Sequence, residues 1–221
     1  MSVLSRPAPP VAQTRQQRFW NRFADRYAAR QIKDVTAYEA LLTAVTARLK
    51  PGDHVLEIGC GTGGTAIRLS GGVASYIATD FSQEMIRIAQ SKPAPDTLCF
   101  VVATADSALH TGPFDAICAF NVLHLVDDLP TVLQHCRDQL KPDGLLISKT
   151  WCFADLPLKL RVLFVGLRLI GLFPDAASLS QQGLQTALSD AGFEIVEHRA
   201  FGSRPQNPYI VAKVKQPDQR H

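Results

Sequence analysis

No two cysteines in this chain stand at CxxC spacing. The five present, Cys60, Cys99, Cys118, Cys136 and Cys152, are odd in number and sit mostly in apolar stretches. That usage argues against a disulfide-stapled secreted scaffold and fits buried, reduced thiols in a cytoplasmic protein. Cysteine and histidine cluster nowhere, so no metal site is expected. A basic stripe is also missing: Lys and Arg are scattered and the net charge is only +3. Phosphate-backbone binding draws on such a stripe, so nucleic acid is not an expected partner. No acidic residue precedes Asp25, a composition shared with transit peptides, but Pro7, Pro9 and Pro10 interrupt any amphipathic helix there. The start also lacks the apolar run of a secretory signal, and residues 1–15 and 216–221 read as tails, the first of them flexible. Repeats and low-complexity segments are absent as well.

What remains is a chain of 221 residues, 46% apolar and 19% charged, enough for one domain with a real core over 16–215. Between Gln16 and Lys50, Phe19, Phe23 and Tyr27, then Tyr38, Leu41, Leu42, Val45 and Leu49, recur at helical spacing with a break at Lys33 and Asp34. This predicts two helices ahead of the first strand. Apolar runs then alternate with helical segments: "HVLEIGC", "ASYIATDF", "TLCFVVATA", "FDAICAFNVLH" and "GLLISKTW". Such runs suit strands buried on both faces of a parallel sheet, so a doubly wound, Rossmann-like α/β sandwich is expected. After an apolar insertion over 151–177, "FEIVEHRAF" and "PYIVAKVK" are joined by "GSRPQN", too short for a helical crossover. They should pair antiparallel, closing a mostly parallel sheet of seven strands with an antiparallel final strand.

The chemistry concentrates in "VLEIGCGTGG", where the first strand meets its helix. Ligands of open α/β sheets bind beyond the strands' carboxyl ends, and glycines there admit positive φ and close approach of a ligand to the backbone. Gly59-x-Gly61-x-x-Gly64 also satisfies the dinucleotide spacing, a weak signal alone, and no Gly-Lys-Ser/Thr follows to make a P-loop. Asp80, 21 residues after Gly59, is placed to accept hydrogen bonds from ribose hydroxyls. Glu57 discriminates among adenosine ligands: its carboxylate would repel a pyrophosphate and attract an ammonium or sulfonium.

With "TDFSQEM", "ATADS", "FDAICAFNVLHLV" and "LKPDGLLI" following in order, the glycine loop resembles the signature of the class I S-adenosylmethionine-dependent methyltransferases of small-molecule type, from about Phe19 to Lys213. The resemblance implies S-adenosyl-L-methionine as cofactor and methyl transfer as the activity. It implies that Glu57, Gly59 and Gly61 surround the cofactor's methionine part, that Asp80 holds the ribose, and that Phe81 and Met85 flank the adenine. By the same likeness Asp106 meets the adenine amino group beside the Ala105 N–H, the Asn121 backbone meets the methionine ammonium, and Tyr27 in the leading helices (16–50) closes over the cofactor. Trp20 fits either ligand contact or helix packing.

An activated methyl calls mainly for alignment of an acceptor, and for a general base only where the acceptor sheds a proton. His124, just past Asn121, is the candidate base. In the insertion, "LPLKLRVLFVGLRLIGLF" is interrupted by Lys159, Arg161 and Arg168 and should not cross a bilayer, which needs about 20 apolar residues. A lid over a small or lipid-like acceptor, peripheral membrane contact through 156–173, and a core helix are the three readings open to it. The rival functions are a non-catalytic S-adenosylmethionine-binding protein and an NAD-dependent oxidoreductase. Glu57 and the closing strands speak against the latter.

Overall fold

The computed structural model describes residues 13–107 and 112–215, so the expected tails at 1–12 and 216–221 lie outside the described residues. Thr14 does not belong to a tail. Its side chain caps α1 (Arg15–Ala28) by accepting from the Gln17 N–H, while the Gln17 side chain accepts from the Thr14 N–H, a reciprocal capping box. The break at Asp34 is likewise a cap, with its carboxylate accepting from the Ala37 N–H at 3.0 Å to start α2 (Val35–Thr46).

Five strands and three helices then alternate as the apolar runs predict: β1 (His54–Ile58), α3 (Gly64–Ser70), β2 (Ser75–Asp80), α4 (Gln83–Gln90), β3 (Leu98–Val102), β4 (Phe114–Phe120), α5 (Leu129–Gln139) and β5 (Leu140–Lys149). The insertion forms a single 3-10 turn at Phe153–Asp155 and α6 (Leu158–Leu169). After it come α7 (Gln181–Asp190), β6 (Phe193–Ala200) and β7 (Pro208–Val214). The seven strands form one sheet in the order β3-β2-β1-β4-β5-β7-β6. Strand β7 inserts between β5 and β6 and runs antiparallel to both; the other neighbouring pairs are parallel.

Strand parity sorts the core. In β1, Val55 joins a buried cluster with Leu41, Leu42 and Val45 of α2, whereas Leu56 and Ile58 join one with Leu133 of α5 and Leu184 and Leu188 of α7. Glu57 therefore points to the Val55 side, since alternate strand residues share a face. Double-sided burial holds for β1 and β4 but not for β3, an edge strand. Cys99 on β3 is consequently exposed, while Cys60, Cys118, Cys136 and Cys152 are buried, and all five are free thiols. The core reading of α6 fails: none of its residues is buried.

Candidate active site

Strand order reverses between β1 and β4, which both lie beside one another with crossovers leading in opposite directions. A crevice opens at such a switch point, beyond the strands' carboxyl ends. The loop leaving β1 there holds Gly59, Gly61 and Gly63 at φ of 67°, 56° and 76°. Gly64 instead opens α3, and a Cβ on it would meet nothing within 4 Å. The loop's working spacing is thus Gly-x-Gly-x-Gly. The dinucleotide match through Gly64 is incidental, because the third glycine of that fingerprint exists to allow close helix packing.

Asp80, at the tip of β2, accepts from the Gly61 N–H through Oδ2 and from the Ser82 N–H through Oδ1, both at 2.9 Å. These bonds fix the carboxylate beneath the loop, and burial still leaves its pKa raised. Glu57 is 1% exposed, and its Oε2 accepts from the Tyr76 hydroxyl at 2.7 Å. Burial pushes its pKa up to about 7 against the opposing pull of that hydrogen bond, because a low-dielectric surrounding disfavours the charged form.

A cavity of about 340 Å³ occupies the crevice, within the usual range of small-ligand sites. Its wall brings together nine of the residues expected from sequence: Tyr27, Gly59, Gly61, Asp80, Phe81, Met85, Ala105, Asp106 and Asn121. Glu57 is not in that wall; it is packed behind the loop on the α2 side of the sheet. The wall also contains Gln16 and Trp20 of α1 together with Val122, Leu125, Val126, Asp127 and Asp128 of the segment after β4, and of these only Trp20 was anticipated. Among the described lining residues there are four aspartates and no Lys, Arg or His.

His124 does not reach this cavity either. Asn121 adopts a left-handed φ of 56° as its N–H donates to the Lys149 carbonyl, a conformation asparagine tolerates better than most residues. The chain then folds into a turn closed by the Leu125 N–H on the Val122 carbonyl at 2.7 Å. Val122 and Leu125 face the cavity, while Leu123 and His124 are buried. The His124 ring packs 5.4 Å from that of Phe153, its carbonyl accepts from the Ala177 N–H, and burial lowers its pKa to about 4. The side chain therefore stands behind the cavity wall, packed near Phe153, and does not line the cavity where a general base would meet an acceptor. Proximity in sequence to Asn121 does not bring His124 to the cavity, because the left-handed residue ends the strand and the chain turns after it. The apolar, acid-ended "LVDD" after the turn was the available signal for the missed wall.

Among the described residues, no group of His, Cys, Asp or Glu could hold a metal ion, and no helix is long and apolar enough to cross a membrane. The sequence model of a family described as a methyltransferase domain matches residues 21–198. Over 110 residues the chain is 36% identical to the polyketide synthase ThaG of Burkholderia thailandensis, a match spanning 43% of this chain and 2% of that protein. The curated relatives are thus far longer than the segment they share with it. The fold is similar to that of the CurJ carbon methyltransferase, with a TM-score of 0.63, 26% identity and coverage of 81% of this chain and 55% of that one. It is also similar to magnesium protoporphyrin IX methyltransferase of Synechocystis PCC 6803 with bound SAH, with a TM-score of 0.64, 23% identity and coverage of 90% and 94%.

Proposed function

Since this chain belongs to the methyltransferase-domain family and is a class I S-adenosylmethionine-dependent enzyme, we propose that its methyl acceptor is a small, apolar or lipid-like molecule. One observation carries the reading: a single cavity joins the glycine loop and four aspartates to an apolar wall of Trp20, Leu125 and Val126, with no cationic side chain among its described residues. Such a lining fits a cationic cofactor and leaves a pyrophosphate without a partner. A synthase of polyketides among the relatives agrees with a small-molecule acceptor.

When bound, S-adenosylmethionine supplies an activated methyl group on a sulfonium, for direct transfer to an acceptor lone pair. In our assignment Asp80, already oriented by two backbone N–H groups, takes the ribose hydroxyls through its remaining lone pairs. Phe81 and Met85 flank the adenine, and Asp106 with the Ala105 N–H meets its polar edge. Gly59, Gly61 and the Asn121 backbone receive the methionine part. The Glu57 charge, when present, acts through the loop from behind it. Trp20 and Tyr27 of α1 exclude water, and positioning of this kind can supply roughly 7–11 kcal/mol of barrier reduction. His124, which does not line the cavity, is assigned no proton transfer in this reading. Asp128 is poorly suited to it, because both of its oxygens are engaged by Thr131 at 3.1 and 2.7 Å.

Isothermal titration with S-adenosylmethionine, S-adenosylhomocysteine and NADH tests the site. The intact protein should bind the first two and not NADH, and Asp80→Asn should weaken binding at least about tenfold, near the value of one charged hydrogen bond. Binding of NADH in preference to S-adenosylhomocysteine would overturn the assignment. Acceptor class is then read from S-adenosylhomocysteine production with apolar and polar candidate acceptors.

A further inference from the structure

Of the twelve residues of helix α6 only Phe164 and Leu167 are half-buried, and the other ten are exposed. Leu158, Val162, Val165 and Leu169 are 70%, 63%, 54% and 76% exposed. Their spacing of four, three and four places them on one helical face. Ile170 and Leu172 continue the apolar surface at 67% and 55% exposure. Eight of the thirteen large apolar side chains exposed among the described residues lie between 158 and 172. Contiguous apolar surface of this kind marks an interaction site, whereas single exposed apolar residues are ordinary.

The charges of α6 are of one sign. By helical position Arg161 and Arg168 flank one side of the stripe and Lys159 the other, and the helix has no acidic residue. Arg168 meets Asp175 at 3.4 Å; Lys159 and Arg161 pair with no carboxylate among the described residues. Pairing the stripe with that of a second copy would bring two sets of these cations together with no acid on either helix to answer them. An anionic lipid surface answers both features, because apolar side chains enter the acyl boundary while Lys and Arg stems extend to the headgroups. Twelve residues of helix rise only about 18 Å, so α6 can lie on a bilayer and cannot cross one. Leu158, Val162 and Val165 also line a groove of about 340 Å³ with Phe153, Phe164 and Phe173, and Arg161 and Arg168 border it, so the recess shares both the apolar and the cationic side chains of the docking face.

We propose that α6 is an interfacial helix that docks this protein on anionic phospholipid membranes, with the Leu158–Val162–Val165–Leu169 stripe facing the lipid. None of the four side chains lines the cofactor cavity, so docking and cofactor binding are separable. Docking would bring the enzyme to a phase in which apolar acceptors concentrate.

Vesicle flotation of the full chain tests the proposal. The protein should float with vesicles of phosphatidylcholine and phosphatidylglycerol, and at least about tenfold less with phosphatidylcholine alone. Val162→Ser, Val165→Ser and Leu169→Ser together should abolish flotation, and Lys159→Ser with Arg161→Ser should lower it at least about tenfold. Both variants should keep the parent's thermal midpoint and its affinity for S-adenosylhomocysteine, since the altered side chains are exposed. That titration also keeps failure of docking distinct from failure of the cofactor assignment. Absence of flotation on anionic vesicles, equal flotation on both vesicle types, or unchanged flotation of the triple variant would overturn the proposal. So would a dimer that the triple variant converts to a monomer without any lipid binding, which would mean that a second copy covers the stripe.

Discussion

Two buried side chains pull the stability of this protein in opposite directions with pH. Glu57 ionises near 4.5 when unfolded and near 7 when folded, so the folded state binds the extra proton between those values and stability falls as pH rises through that window. His124 ionises near 6.5 when unfolded and near 4 when folded. The unfolded state then binds the extra proton, and stability is lost as pH falls from about 6.5 toward 4. Each effect reaches about 3 kcal/mol at full extent, and across the overlap they cancel in the parent protein. Single substitutions should separate them. Glu57→Gln, which keeps an acceptor for the Tyr76 hydroxyl, should raise the thermal midpoint at pH 8 and leave it nearly unchanged at pH 4.5. His124→Gln should gain at pH 4.5 relative to pH 8, and should leave affinity for S-adenosylhomocysteine intact because the side chain lies outside the cavity. Thermal unfolding of the two variants across this range checks both signs. A midpoint difference that does not vary with pH would show that the group titrates alike in the folded and unfolded states.

At the scale of elements, the glycine loop separates two requirements that the motif states together. A Cβ on Gly61 would stand 3.5 Å from Tyr27 Cε1, an ordinary contact, so Gly61→Ala meets only the penalty of a left-handed φ, about 1–2 kcal/mol. A Cβ on Gly59 would come within 2.3 Å of Val122 Cγ2 and 2.6 Å of Val122 Cβ. That contact is with a stiff β-branched side chain, so Gly59→Ala should be destabilised by a further 1–3 kcal/mol or so and should displace the turn after β4. Urea unfolding and S-adenosylhomocysteine titration of the two variants should place Gly59→Ala below Gly61→Ala in both stability and affinity. The sequence made much of this region legible because period and punctuation agree there. Apolar runs marked β1, β2 and β4, glycines marked the loop, and Asp80 and Asp106 followed at strand ends. Illegible features arose where a local conformation overrode the period. Asn121 in the left-handed region turned His124 away, and the two-sided burial expected of an apolar run failed for β3 because nothing in a run of residues states which strand ends the sheet. Glu57 was found by its charge, yet its parity on β1 aims it behind the loop toward Tyr76.

Across the whole molecule, stability is unevenly shared between the sheet and the helix that covers the cavity. Among the described residues each face of the sheet carries a cluster of eighteen buried residues, whereas α1 contributes buried Ala24 and half-buried Trp20 to a small third cluster with Met85 and Ile88. Polar ties add to this packing: Asn21 Oδ1 accepts from Ser82 Oγ at 2.6 Å, and Gln16 Nε2 donates to the carbonyls of Leu125 and Asp175. The Arg87–Asp25 pair at 3.5 Å is exposed on both sides and is worth little in water. A helix held by so little apolar burial opens at lower free energy than the sheet beneath it. Yet Gln16, Gln17, Trp20 and Tyr27 of this helix line the cavity, so a cofactor bound there joins α1 to the sheet and stabilises the closed form. Hydrogen exchange should therefore show α1 amides exchanging well before those of β1 and β4 in the free protein. S-adenosylhomocysteine at about 100 times its Kd should slow α1 exchange by up to about a hundredfold, with a much smaller effect on the sheet. Asn21→Ala, which removes the acceptor for Ser82, should speed α1 exchange and cofactor dissociation while leaving strand protection unchanged. Equal protection of α1 and β4 in the free protein would mean that the helix is a fixed part of the core and that the cofactor enters by another route.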